Sequence, residues 1–433
     1  MNTNDEGSLS RTLAPPESGR YPVALATVTT LFFMWGFLTS LNDILVPHLK
    51  SIFDLNYAEV MLIQFAFFSA YFLFSLPSGR LIDRIGYKRA MVVGLLAMGL
   101  GALLFVPAAS VPSFPLFLTA LIVLAAGITM LQVAANPYVI VLGPEKTSSS
   151  RLNLTQAFNS LGTTLGPLLG GLFILNAVPK STVKDMSAQA VQAYRLHEAS
   201  SVKLPYLGLC LTLVVLGVVI AMSKLPPIPA ARRQRDDGSS GANSSVWRHR
   251  HLVLGAVAIF LYVGAEVAIG SFLVGYLGQP AISNLSANVA ARYVSVYWLG
   301  AMVGRFIGSA VLQRVRTGTL LGIAATGAGM LVLTSTVTSG HVAMWSILLV
   351  GLCNSIMFPS IFALGVARLG PLTGDGSGVL VMAIVGGAIV PEVQGALADH
   401  IGIQHSFVLP IACYLYILYY ALKGSQPAAG TSM

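Results

Sequence analysis

The chain has 433 residues, of which 55% are hydrophobic and 9% charged, with a formal net charge of +9. Soluble domains carry about 25% charged residues, so this composition excludes a water-exposed surface of ordinary size and makes lipid the favoured solvent. In lipid every backbone polar group must find its partner inside the protein, which leaves helices or closed barrels. Long apolar runs, rather than alternating strands of roughly ten residues, select helices.

In chain order, residues 1–21 read as a polar tail containing Pro15 and Pro16. The first apolar run begins near Tyr21 and is too long for a signal peptide, so it is expected to remain as the first helix. Apolar runs of about 20 residues predict helices over 22–48, 57–80, 88–108, 113–142, 152–176 and 203–224. Residues 225–249, with Arg232, Arg233, Arg235, Asp236, Asp237 and a Gly/Ser stretch, read as a flexible linker. Six more runs follow at 250–278, 288–313, 317–338, 341–368, 376–398 and 404–423, and 424–433 is a second tail. The expected architecture is an all-α membrane protein with two six-helix bundles, 22–224 and 250–423. A second polar stretch, Pro179 to Val202, joins helices 5 and 6.

Charge orients this plan. With the N-terminus in the cytoplasm, basic residues favour the cytoplasmic side by about three to one, as the positive-inside rule requires. Both termini are therefore expected inside, and the basic balance is a topology signal, not a nucleic-acid signal. The halves also repeat weakly. Asn136-Pro137-Tyr138 is echoed by Phe358-Pro359-Ser360, and Gly79-Arg80-Leu81 by Gly304-Arg305-Phe306. Two such bundles are the plan of a rocking transporter. Cys210, Cys353 and Cys413 lie in apolar runs without metal-ligand spacing. Walker A, GxSxG and HExxH motifs are absent, so neither an enzyme nor a metal or cofactor is expected.

The strongest local pattern is Gly79-Arg80-Leu81-Ile82-Asp83-Arg84-Ile85-Gly86-Tyr87-Lys88-Arg89, after helix 2. Gly79 and Gly86 permit a tight turn and close backbone approach. Asp83 can sit near helix termini and pair with basic neighbours such as Arg84, Lys88 and Arg89, latching helices in one state of a cycle. This segment resembles the loop 2–3 signature of the major facilitator superfamily.

A narrower resemblance rests on Phe33-Met34-Trp35-Gly36 and Leu41-Asn42-Asp43 in helix 1, and on Gln132 to Val139 in helix 4. Arg151 to Ser160 opening helix 5 and Tyr262-Val263-Gly264-Ala265-Glu266 in helix 7 extend it. From about Thr30 to Leu422 the chain is similar to the fucose–galactose–glucose:proton symporter family. That resemblance implies the major facilitator fold, a monosaccharide substrate and a co-transported proton. It also implies a multi-pass location in a bacterial inner membrane. L-fucose/proton members place a glutamate where Gln132 stands and a glutamine where Glu266 stands. The present arrangement is more like glucose/galactose members, so a hexose is the expected cargo and L-fucose or another monosaccharide the alternative.

An ionisable group at membrane depth costs about 2.5–3.5 kcal/mol on insertion scales and is a functional candidate by default. Asp43, Glu266 and Glu392 meet that description. Asp43 shares a helical face with Trp35 and Asn42 and is the first choice for proton coupling, with Glu266 second. Glu392 reads equally well as a rim residue. Sugar hydroxyls both donate and accept, so neutral amides suit them; Gln132, Asn136, Gln156, Asn159 and Asn354 are the candidates. Trp35, Tyr262 and Phe358 join them as aromatic lining. Arg305 has three readings: pairing with Glu266, pairing with Glu392, or snorkelling to the interface. His48, His341, His400 and His405 lie near outer helix ends and read as interface residues. A monomer is expected. Sodium coupling, a drug/proton exporter and a sugar receptor are the competing readings, the exporter opposed by the amide lining and the receptor by short termini.

Overall fold

The computed structural model describes residues 21–53, 57–110, 113–174, 203–226 and 245–426, and side chains throughout these spans except 41–53, 57–61 and 167–174. Most of the linker, the 179–202 stretch and both tails therefore lie outside the described residues, as do the side chains of Asn42, Asp43 and His48. Among the described residues the chain is helical, without a strand.

The helices of the first half are α1 Tyr21–Phe53, α2 Tyr57–Ile85, α3 Tyr87–Ser110, α4 Phe114–Val141, α5 Ser148–Ile174 and α6 Lys203–Met222. The second half has α7 Arg250–Leu277, α8 Ala287–Val311, α9 Thr317–Val337, α10 Gly340–Gly365, α11 Gly370–Ile401 and α12 Ile403–Gly424. Among the described residues eleven of these are long and apolar enough to cross a membrane. The remaining one is α5, whose described part carries Ser149, Ser150, Arg151, Asn153, Thr155, Gln156, Asn159 and Ser160. Seven of these eight are buried against protein on nearly every side, so the polarity of α5 faces neighbours rather than lipid.

Two expected continuous helices are interrupted. α10 breaks after Asn354 and resumes at Met357. Pro359 has no N–H to give the carbonyl four residues earlier, so Ser355 cannot complete the helical ladder. α11 contains a short tight turn at Ala383–Val385 before it continues from Gly386.

Helix pairs recur between the halves. α1 lies on α5 as α7 lies on α11, α3 on α4 as α9 on α10, and α3 on α6 as α9 on α12. Between the bundles α2 meets α11 and α5 meets α8, the exchange expected of parallel repeats. The Gly36 Cα sits directly against the backbone carbonyl of Asn159, leaving no space for a side chain. Small residues at such crossings let membrane helices approach closely without any hydrophobic drive between them. Replacing Gly36 by Val drives a branched side chain into backbone that cannot yield. The cost expected is about 3 kcal/mol, read as a lowered melting temperature of the purified protein in detergent, with Ala intermediate.

Candidate functional site

In the second half, the break in α10 creates the centre of the site. The Ser355 carbonyl, released by Pro359, accepts Nε of Arg305 from α8 at 3.3 Å. The Asn354 carbonyl lies 3.1 Å from the Tyr262 hydroxyl, which donates to Glu266 Oε1 at 2.7 Å, one turn along α7. Arg305 Nη2 stands 3.9 Å from the same carboxylate oxygen. Of the three readings of Arg305, pairing with Glu266 is the one the structure has; Glu392 is exposed on the outer part of α11.

The Asn354 side chain is enclosed. Its Nδ2 donates to the Tyr297 hydroxyl at 2.9 Å, and its Oδ1 accepts from Tyr414 at 2.8 Å. Asn354 therefore organises the wall behind Glu266 and does not present its amide to a cavity. Tyr262 is also buried, at 1% exposure, and acts through its hydroxyl rather than an open ring face. Phe358, also buried, lies against Phe362 with ring centroids 5.8 Å apart.

In the first half, α1, α2 and α4 converge. Gln132 Nε2 donates to the Tyr71 hydroxyl at 2.8 Å, and the Trp35 indole also reaches that hydroxyl. Phe67 and Phe68 flank Tyr71 with centroids 5.6 Å and 6.4 Å away. Several amide atoms here have no protein partner among the described residues: Gln132 Oε1, both polar atoms of Asn136, and Gln156 Nε2. Unpaired donors and acceptors of this kind cost about 1–3 kcal/mol each when buried, so their retention points to a ligand or water. Asn159 spends its Nδ2 on the Phe32 carbonyl at 2.9 Å, tying α5 to α1.

Arg305 joins the two halves. Its Nη1 donates to Ser160 Oγ on α5, and Ser160 is one turn beyond Gln156, whose carbonyl its hydroxyl also approaches at 3.1 Å. Asn153 Nδ2 holds the Arg305 carbonyl at 2.6 Å. Sequence reasoning missed Tyr71, Tyr297, Tyr414 and Gln394, the last fully buried with both amide atoms unpaired among the described residues. A tyrosine or lone amide within an apolar run needs a partner for its polar tip, and that was the available signal.

The sequence matches the Major Facilitator Superfamily over residues 24–391. It is 53% identical to a glucose/galactose transporter of Brucella abortus, over 94% of this chain and 95% of that one. The chain belongs to the major facilitator superfamily. It is 35% identical to the L-fucose-proton symporter of Escherichia coli, over 95% of each chain. It also superposes on the crystal structure of FucP, a major facilitator transporter in the outward conformation, with a TM-score of 0.87. That match has 34% identity and covers 94% of this chain and all (100%) of the other.

The superfamily's loop signature sits where α2 meets α11. Gly79 is pressed against the Gly374 carbonyl, and Asp83 Oδ1 faces the Gly374 Cα at the first turn of the α11 segment Thr373–Met382. A carboxylate there meets the positive end of the helix dipole. Gly86 takes φ +80°, the left-handed turn between α2 and α3. Lys88 Nζ donates to the Ala221 carbonyl at 2.8 Å, closing the end of α6, while Arg84 and Arg89 are exposed. Arg151 is buried and donates to the Val139 and Ile140 carbonyls at 3.2 and 2.7 Å. It thus caps the last turn of α4. Hydrogen bonds between the bundles extend from mid-helix to this basic end, including Ser150 to the Ser309 carbonyl at 2.7 Å and Thr317 to Ser149 at 2.9 Å. The basic end is closed.

Replacing Asn354 by Ala removes the acceptor of the Tyr414 hydroxyl and leaves the Tyr297 hydroxyl with its 3.5 Å bond to the Glu266 carbonyl, with an expected stability loss of about 1–3 kcal/mol, seen as a lower melting temperature. Replacing Asp83 by Asn removes a charge interaction of about 0.3–1 kcal/mol with the α11 terminus. A cysteine placed at Ser377, which is fully buried beside this contact, should then react faster with a membrane-permeant maleimide in a background lacking the native cysteines.

Proposed function

We propose that this chain imports a hexose, glucose or galactose, together with protons by alternating access. Both termini would lie in the cytoplasm, and the closed basic end makes this an outward-facing arrangement. One observation carries the reading. An acid–base pair at membrane depth in one bundle sends its cation into the other bundle, beside amides with unused donors and acceptors. An apolar drug has no use for those amides, whereas each sugar hydroxyl both donates and accepts. The relatives' names, glucose/galactose transporter and L-fucose-proton symporter, support the same cargo class. Glu266 in α7 and Gln132 in α4 favour the glucose/galactose side of that pair. One chain contains the whole set of residues, consistent with action as a monomer.

The geometry supplies a coupling route. A sugar entering from the outer side engages Gln132 and Gln156, with Trp35 and Tyr71 offering apolar ring surface beside polar tips. Asn136 waits deeper, toward the basic end of α4. Glu266, while ionised, holds Arg305, which in turn holds Ser160 and the closed contact of α5 with α8. Protonating Glu266 removes its attraction for Arg305 and lowers the cost of moving α7 through a dry intermediate. Asp43 on α1 is the second acid, and we assign it the primary proton exchange with the outer solution.

Uptake into proteoliposomes under an inward proton gradient tests this. One co-transported charge supports about 50-fold accumulation per 100 mV, from about 2.3 kcal/mol. A protonophore and Asp43→Asn should each reduce accumulation to equilibration, while counterflow exchange of labelled sugar persists. Accumulation that survives both, or that follows sodium at fixed pH, would refute proton coupling. Arg305→Lys keeps the charge but loses the guanidinium fork. Losing one charge-assisted bond of about 1.5 kcal/mol should slow uptake roughly tenfold, and Arg305→Gln should slow it further.

A further inference from the structure

At the basic end, away from the amide-lined centre, a cavity of about 1040 Å³ opens between the α4–α5 turn of one bundle and the α8–α9 and α10–α11 turns of the other. Its wall carries Lys146, Arg314, Arg316 and Arg368 against one acid, Glu145. All four cations are exposed, and among the described residues none of them is in an ion pair. The positive-inside rule requires charges on this side of the membrane; it does not require four of them around one concave wall. Gathered there, they focus a positive potential that selects an anion.

A second cavity, of about 840 Å³, runs along the outer surface between α9 and α12, lined by Gly322, Ile323, Met330, Leu418 and Leu422. Arg316, Gly318 and Leu364 belong to both walls. These shared residues place the basic cavity directly beside an apolar groove on the membrane-facing side. A soluble anion would use the first compartment and leave the second without purpose. A zwitterionic lipid would fill the groove but bring a second cation to a wall already positive. A phosphodiester attached to acyl chains, without a compensating cation, matches both compartments.

We propose that this continuous site binds an anionic phospholipid, its phosphate among Arg314, Arg316, Arg368 and Lys146 and an acyl chain between α9 and α12. The cavity draws Ser149 from one bundle and Thr317 from the other, and those residues are hydrogen-bonded at 2.9 Å. An occupant that contacts both bundles only when they are together stabilises that arrangement. The lipid thus holds the basic end closed, whichever solute is carried.

Native mass spectrometry of the purified full chain, titrated with phosphatidylglycerol or phosphatidylcholine of identical acyl chains, tests the proposal. Each surface cation is worth about 1 kcal/mol toward an anionic headgroup. The intact protein should therefore retain phosphatidylglycerol at least about tenfold more tightly than phosphatidylcholine. Arg316→Gln with Arg368→Gln should weaken phosphatidylglycerol binding by roughly 30-fold and leave phosphatidylcholine unchanged, whereas Arg316→Lys should retain it. A Cβ at Gly322 has van der Waals room beside Leu418 and Leu422, and the larger side chain of Gly322→Leu should weaken the lipid by obstructing the groove. Equal affinity for the two lipids, or a double variant that binds phosphatidylglycerol like the parent, would overturn the site. Displacement by inorganic phosphate with no effect of Gly322→Leu would also overturn it, by making it a soluble-anion site. If the double variant elutes as aggregate, Lys146→Gln gives the same reading from one cation, about fivefold.

Discussion

Hydrocarbon offers no hydrogen-bond partner, so each polar group this chain takes to membrane depth must be answered by another part of the protein. That demand organises the molecule more than any apolar contact does. It turns the polar face of α5 inward, folds Arg151 back over the last carbonyls of α4, and recruits Arg305 to the carbonyl that Pro359 leaves open. The lipid-facing sides can then be made of interchangeable aliphatic residues, because nothing specific is asked of them. Specificity is concentrated in the seams between helices.

Arg305 shows how a structural obligation becomes a functional one. A guanidinium in the membrane needs an anion and several acceptors. Here Glu266, the Ser355 carbonyl and the Ser160 hydroxyl supply them from three helices, one of which belongs to the opposite bundle. The charge state of a carboxylate and the closure of a bundle interface thus depend on the same side chain. The enclosed Asn354, held by Tyr297 and Tyr414, keeps the broken section of α10 in register behind that carboxylate. The first bundle contributes the complementary part, a set of amides that has capacity left over. Rigid bonding on one side and spare bonding on the other is an arrangement that the proposed sugar would complete across the two bundles.

The basic end obeys a different economy. There water and headgroups are available, and charges need not be paired. Asp83 meets the α11 terminus, Lys88 meets the end of α6, Arg151 covers the end of α4, and Arg84, Arg89, Lys146, Arg314, Arg316 and Arg368 are exposed. The same exchange that brings α2 to α11 brings α8 to α5, so closure there engages two seams together. The proposed lipid at this end would act on closure without touching the proposed solute site, which would separate regulation from recognition in space.

Much of this was legible in the sequence. Apolar run length predicted the helices, because the requirement for internal hydrogen bonding is local to each segment, and the polar linker with the weak internal repeat suggested two sets of six. The motif from Gly79 to Arg89 and the segments around Trp35, Gln132, Gln156 and Glu266 identified the superfamily and supplied the residues of the proposed site. Partners were not legible. Arg305 had three readings, pairing with Glu266, pairing with Glu392 or snorkelling to the interface, and choosing among them required knowing which helices touch. Asn354 and Tyr262 read as cavity residues by composition, yet the break at Ser355 turns their polar atoms toward each other. Tyr71, Tyr297 and Tyr414 looked like ordinary aromatic residues of apolar runs until their hydroxyls met an amide. A one-dimensional pattern records that a polar group enters the membrane; only the tertiary structure decides who answers it, because the answering residue is set by helix crossings between segments distant in sequence.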